Sequence, residues 1–220
     1  MQKINDLLDL EKTIAKPLFE GKTFAWEVLP QIHDFILKLG ESLSPDEFNH
    51  PSCDVWIAKD AVVFPSAFIG HCVIIDHGAK VTQCSYIREN VIVGKRCTVG
   101  NSCELKNAVL FDEAEVPHFN YVGDSVLGYK AHMGAGAVTS NLKSDKKNIV
   151  VKEADCKYET GFRKMGAILG HNTEIGCNSV LNPGTVVGSD TNIYPLSSVR
   201  GVIPANSIYK AADNIVTKQK

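Results

Sequence analysis

The feature that most restricts what this chain can fold into is a six-residue ladder opening at Ile57. Steps of six from there meet Ile57, Val63, Ile69, Ile75, Val81, Ile87, Val93, Val99, Leu105 and Phe111, all apolar. With 44% of the chain hydrophobic, such a run in a fixed frame arises by chance on the order of once in several thousand trials, so the period belongs to the fold. The place four beyond each step is mostly small or β-branched, as at Ala61, Ala67, Val73, Ala79, Ser85, Val91, Cys97, Cys103 and Val109. Two inward classes recurring every six residues describe short strands separated by corners, and they do not match the helical period of about 3.6. Three hexads make one coil of a three-sided parallel β-helix, which puts residues 18 apart in register about 4.8 Å from each other. The expected fold class is all-β.

The ladder divides the chain. Residues 1–50 read as a helical arm or cap: Ile4, Leu7, Leu8, Ile14 and Leu18 suggest one amphipathic helix, and Trp26, Leu29, Ile32, Phe35, Ile36 and Leu39 a second, ended by Gly40. Ser44-Pro45-Asp46-Glu47 has the form of a capping box and predicts a short third helix. The segment either recruits a partner or covers the open end of the ladder, because a repeat stack needs its terminal coil covered. Residues 51–220 read as the β-helix domain, with two breaks. Pro117 keeps the six-residue step and Val122 falls one short of it, so an irregularity is expected at 117–124 before Leu127, Met133 and Thr139 resume the pattern. A polar, lysine-rich excursion at about 142–164 follows, either functional or merely tolerated. Leu169, Ile175, Leu181, Val187, Ile193 and Val199 then restore the frame, and a tail with a basic end is expected from about 204.

A net charge of −2 and a pI near 6.4 leave no global field to attract nucleic acid or an acidic membrane, so any anion site must be local. The seven cysteines contain no C-x-x-C pair, which favours buried or incidental thiols of a reducing cytoplasm over a disulfide framework. Acidic residues in the N-terminal stretch and the lack of a run of about 18 apolar residues point away from a signal peptide or a membrane span. A cytoplasmic protein is expected.

Local chemistry is sparse. Arg88 and Lys106 are 18 apart and each follows an inward residue, so they should stack on the outside. Stacked like charges are unfavourable unless an anion lies between them or water solvates them, which makes the pair either a phosphate site or a hydrated surface. His118 opens the irregularity, with Tyr121 three residues on, and an imidazole beside a polar cleft suits a general base. His71 and His77 fall on different faces and show no metal-ligand spacing, so no metal is expected. Phosphate-cradling glycine loops and a nucleophile elbow are not found.

The hexads Val93-Gly94-x-x-Cys97 and Ile175-Gly176-x-x-Ser179 resemble the hexapeptide-repeat, left-handed β-helix family, many of whose members are CoA-dependent acyltransferases. Pro117-His118-Phe119-Asn120-Tyr121-Val122-Gly123-Asp124-Ser125, followed by Met133-Gly134-Ala135-Gly136-Ala137-Val138-Thr139-Ser140-Asn141, is similar to the acetyltransferase half of the bifunctional enzymes that make UDP-N-acetylglucosamine. It also resembles the C-terminal half of related sugar-1-phosphate nucleotidylyltransferases. The likeness covers roughly residues 55–200. It implies a left-handed β-helix, a homotrimer with sites between subunits, and acetyl-CoA as co-substrate. By position it implies His118 as catalytic base, Asn141 beside the acetyl and sugar groups, and Arg88, Lys106, Tyr121 and Lys147 on the sugar phosphate, Lys147 on a less similar stretch. Cys177, Tyr194 and Pro195 stand where the family has small residues along its CoA channel, and a Tyr-Pro pair narrows such a channel. Nothing in 1–50 resembles a nucleotidylyltransferase domain.

Three functions are consistent with these residues. One is a CoA-dependent N-acetyltransferase acting on an amino-sugar 1-phosphate, serving nucleotide-sugar biosynthesis. The alternative is a non-catalytic trimer that binds sugar phosphate and partners a separate nucleotidylyltransferase. The third is another acyltransferase of the same scaffold with a different acceptor.

Overall fold

In a computed structural model describing residues 2–219, the ladder winds into a left-handed parallel β-helix. Three columns of side chains fill its interior. On the first face Ile57, Ile75, Val93, Leu110, Leu127, Leu169, Val187 and Ile203 pair in sequence. Val63, Val81, Val99, Val116, Met133, Ile175, Ile193 and Tyr209 line the second; Ile69, Ile87, Leu105, Val122, Thr139, Leu181 and Val199 form the third. Small inward residues such as Ala79, Cys97, Cys103, Ala114, Ala131 and Ala137 fill the space beside the corners. At the regular corners from Cys72 onward one residue adopts the left-handed backbone conformation, and these residues also stack. Between the second and third faces they are Cys84, Ser102, Phe119, Gly136, Asn178 and Leu196. Non-glycine residues resist this conformation, and the hydrogen bonds of the coils above and below hold them in it.

The frame changes earlier than the sequence predicts. Ile87 still pairs with Leu105 across 18 residues, but Val93 pairs with Leu110 across 17, so a residue is lost at Lys106–Asn107. The same corner is short again between Val122 and Leu127, which pair with Leu105 and Leu110. Leu110 and Val116, rather than Phe111 and Pro117, therefore point inward. Phe111 is fully buried on the other side of the wall, edge-on to Phe19 with ring centroids 5.4 Å apart. The excursion leaves from this corner in the following coil. Three consecutive coils thus depart from the standard length at one corner, while the inner columns stay in register.

The N-terminal segment lies along the first face. That face carries a second apolar set pointing outward, Ile74, Ile92, Val109, Val126, Ile168 and Val186, which shares one core with Leu7, Phe19, Val28, Ile32 and Ile36. Burial on both sides of one sheet is the reason the segment docks here. Ile57, Ala61, Val63, Ala67 and Ile69 in the first coil remain only partly buried. The two long helices become one, Ile32–Glu41, preceded by the short helix Ile4–Leu7 and 3-10 turns at Leu10–Lys12, Lys16–Phe19 and Ala25–Gln31. Pro17 and Pro30 lack the amide hydrogen that a longer helix needs. Gly40 is where helix and β-helix touch, since a Cβ there would stand 2.4 Å from the Trp56 ring.

The helix expected at Ser44 is a single turn. The Asp46 amide donates to Ser44 Oγ at 3.2 Å and the Phe48 amide to the Ser44 carbonyl at 2.9 Å. Strand Phe48–Ser52 follows and folds back antiparallel onto Val55–Ala58, taking the edge of the first coil. At the other end the repeat outlasts its expected limit. Strand Ser207–Ala211 stacks parallel on Asn192–Ile193, bringing Tyr209 into the second column, and Asn214–Thr217 folds back along it. No helix among the described residues is long and apolar enough to cross a membrane. Met1 and the basic Lys220 lie outside the described residues.

Candidate active site

Two edges of the third face carry the residues singled out above. On the edge shared with the second face, coils are tied by backbone hydrogen bonds from Gly136 to the His118 carbonyl at 3.0 Å, from Asn178 to that of Ala135 at 2.8 Å, and from Leu196 to that of Cys177 at 2.9 Å. His118, Ala135, Cys177 and Pro195 therefore occupy successive coils of one corner. At one strand spacing per coil, Cys177 lies about 10 Å and Pro195 about 14 Å along the axis from His118. Residues far apart in the chain are brought to one edge, and Phe119, Tyr194 and Leu196 flank it in solvent. The corner at His118 is anchored from below. Buried Asn120 accepts from the His118 amide at 3.0 Å and donates to the carbonyls of Gly134 at 2.9 Å and Ala137 at 3.0 Å. The imidazole itself projects outward, and among the described residues nothing bonds its ring nitrogens.

The other edge is the corner whose length varies. Asp124, in the left-handed conformation at φ 48, holds a carboxylate only 6% exposed. It accepts from Lys106 Nζ at 3.2 Å, Asn107 Nδ2 at 2.9 Å and Asn141 Nδ2 at 2.5 Å. Asn141 Nδ2 also reaches the Tyr121 hydroxyl at 3.1 Å. Losing one residue at Lys106–Asn107 lets Asn107 turn its amide onto Asp124, and the excursion begins right after Asn141. Burial pushes the Tyr121 phenol above its ordinary range, with the Asp124 and Glu104 carboxylates adding to the effect and the Asn141 hydrogen bond and Arg88 opposing it. It is a neutral donor and acceptor.

Arg88 and Lys106 each have a carboxylate of their own. Arg88 meets Glu104 at 3.0 Å and Glu89 at 3.5 Å, and the Glu104 bond holds its guanidinium above the usual arginine range. Lys106 meets Asp124. Both charges are thus already balanced within the protein. Lys106, Tyr121 and Asn141 thus join one net, with Arg88 beside it. Lys147 stands apart on the exposed excursion, where its amide donates to Asp145 Oδ1 at 3.1 Å.

Asp124, Asn107 and Glu104 are the members that sequence reasoning missed. The stacking rule applied to Arg88 and Lys106 reaches Asp124 in one further step, since Lys106 and Asp124 are also 18 apart. Among the described residues no cluster of three or more His, Cys, Asp or Glu side chains is placed to hold a metal.

A hexapeptide β-helix whose third face has one edge of stacked corners and another of irregular, polar ones is the class that fold and site define. Residues 68–216 match the family described as the GMPPB C-terminal domain, and the chain belongs to it. Among curated relatives it is 33% identical over 198 residues to the bifunctional protein GlmU of Methanococcus maripaludis strain C5, covering 89% of this chain and 48% of that protein. It is 31% identical over 156 residues to the bifunctional sugar-1-phosphate nucleotidylyltransferase/acetyltransferase of Sulfurisphaera tokodaii, covering 71% of this chain and 39% of that one. The chain spans about half the length, or less, of these relatives. Among solved structures, perosamine N-acetyltransferase of Caulobacter crescentus in complex with CoA and GDP-perosamine aligns at 17% identity and a TM-score of 0.30, over 76% of this chain and 57% of that one.

Proposed function

We propose that this chain is an N-acetyltransferase that moves the acetyl group of acetyl-CoA to the amine of an amino-sugar 1-phosphate. The observation that carries the reading is that His118 shares its corner with Cys177 and Pro195, while the Tyr121–Asn141–Asp124–Lys106 net begins three residues further along the same coil. In this reading the pantetheine arm runs along the first edge and the sugar lies across the third face. The His118 ring takes a proton from the sugar ammonium, and the freed amine attacks the thioester carbonyl. As the C–N bond forms and the C–S bond breaks, CoA leaves as the thiol after protonation. Tyr121 and Asn141 orient the sugar, with Asp124 fixing the Asn141 amide. Arg88 and Lys106 take the phosphate by partial exchange with Glu104 and Asp124, and Lys147 reaches it from the excursion. The exposed edge with Phe119, Tyr194 and Leu196 is what a neighbouring subunit of a homotrimer would cover.

The test is thiol release from acetyl-CoA with glucosamine 1-phosphate or galactosamine 1-phosphate as acceptor. Turnover is expected, and His118→Ala should lower kcat by about 10² to 10⁴, the usual contribution of a positioned general base. A variant as active as the parent refutes the assignment. A trimer that binds sugar phosphate and releases no thiol with either acceptor is instead a non-catalytic partner of a separate nucleotidylyltransferase.

A further inference from the structure

The excursion folds into a hairpin, Val150–Glu153 against Cys156–Glu159, that sorts its side chains by the strand period of two. One face turns the opposed pair Val151 and Tyr158 toward the apolar core, with Tyr158 edge-on to Phe24 at 5.6 Å. The other carries Val150 opposite Glu159 and Lys152 opposite Lys157. That second face lines a cavity of about 390 Å³ together with Lys143, Pro183, Gly184 and Arg200. The hairpin sits tightly there: a Cβ on Gly184 would stand 2.7 Å from Ile149 Cγ2, and one on Gly201 2.8 Å from the Lys152 carbonyl.

A second cavity of about 340 Å³ shares Lys143, Pro183 and Arg200 and extends to Ser140 and Leu142, the two neighbours of Asn141. The cavities make one trough along the helix axis. Ser140, Asn182 and Arg200 follow the stacked residues Thr139, Leu181 and Val199, so the trough spans two coil spacings, about 10 Å.

Its charge is unbalanced. Lys152 and Lys157 face each other directly across the strands, an arrangement that destabilises a hairpin when nothing lies between the charges. Arg200 projects into the same space. Among the described residues the carboxylates lining the trough are Glu159 and Asp145, and Asp145 is already paired with Lys143 at 3.3 Å. Among the described residues no carboxylate forms an ion pair with Lys152, Lys157 or Arg200.

We propose that this trough is a binding site for a diphosphate group, separate from the net around Asp124. A diphosphate matches three unpaired cations, Lys152, Lys157 and Arg200, spread over two coil spacings better than a single phosphate does. The group has two sources: the diphosphate of the acyl donor, an arm that rests on the acetyltransferase reading, or a free diphosphate-bearing metabolite.

The experiment is calorimetric titration of the whole chain with inorganic pyrophosphate, and separately with CoA. Saturable pyrophosphate binding is expected, weakened at least tenfold by Lys152→Ala/Lys157→Ala and by Arg200→Ala. Lys157→Arg should retain it, which separates lost charge from lost fold. If CoA displaces pyrophosphate and the same variants weaken CoA, the acyl donor supplies the group; if the two bind independently, a free metabolite does. No saturable binding by the parent protein overturns the proposal. So does an equal loss in Lys80→Ala, on the second face. Because the titration needs no turnover, a failure of the acetyltransferase reading leaves this result interpretable.

Discussion

Asp124 is the residue on which the polar edge depends, and Asp124→Asn isolates its charge. The exchange keeps the side-chain shape and the tolerance of a left-handed backbone, and replaces the charge and one acceptor oxygen by an amide donor. In the parent that carboxylate is 6% exposed and Lys106 is 18% exposed at its side chain. Breaking a buried ion pair from one side costs about 3–5 kcal/mol. Partial access of water to Lys106 and one surviving acceptor oxygen bring the expectation to about 2–3 kcal/mol. For a chain of this size each kcal/mol lowers Tm by about 2–4 °C, so a fall of about 4–12 °C should follow. Urea unfolding monitored through the buried Trp26 and Trp56 is a suitable assay. Adding Lys106→Met removes the stranded ammonium, and the double variant should recover about 1 kcal/mol or more. An Asp124→Asn variant within about 0.5 kcal/mol of the parent, or single effects that simply add within that margin, would refute the reasoning.

Three further outcomes follow from the same geometry. Glu104→Gln releases Arg88 from its closest carboxylate, so the KM for an amino-sugar 1-phosphate should fall several-fold in the thiol-release assay; an unchanged KM removes Arg88 from the phosphate site. Phe111→Ala empties a fully buried site against Phe19 and should cost about 3–5 kcal/mol, with hydrogen exchange rising first in residues 4–41; protection unchanged there would show that Phe111 does not hold the N-terminal segment. Asp76 is buried, one of its oxygens lacks a partner, and burial raises its carboxyl above the ordinary range. A raised carboxyl favours the fold below the unfolded pKa and loses that contribution as pH climbs through the folded value. Asp76→Asn should therefore melt higher than the parent near pH 7, with the advantage closing as pH falls toward the carboxylate range; a constant difference across that range would contradict the assignment.

The hexads alone were enough to specify the wall. Ile57 to Leu105 kept their frame because each inward residue has its neighbours one coil above and below, and a slipped residue would expose the whole column. Phe111 misled for a physical reason: an apolar residue at the expected step is also what a docking surface for the N-terminal segment requires. Apolar runs such as Val73-Ile74-Ile75 and Val91-Ile92-Val93 already carried the mark of a face buried on both sides. The position of the helical segment was legible there. The two edges were legible unequally. His118 and Tyr121 stood out at the irregularity and Asn141 through resemblance, whereas Asp124 and Glu104 gain their place through partners that lie one coil away. The lysine-rich excursion stood out in the sequence, but the alternation that puts Lys152 and Lys157 on one face is visible only once the turn between them is known.

The corner that lost a residue twice and then admitted a 24-residue excess did so without disturbing the columns beneath it, since Leu127 pairs with Leu169 across 42 residues where 18 is the norm. Such a corner behaves as an insertion port. Other coils turn at the same edge, so a peptide grafted between Ile69 and Ile75 should be carried at a fixed height on that edge, displaced along the axis from the natural hairpin by a set number of strand spacings.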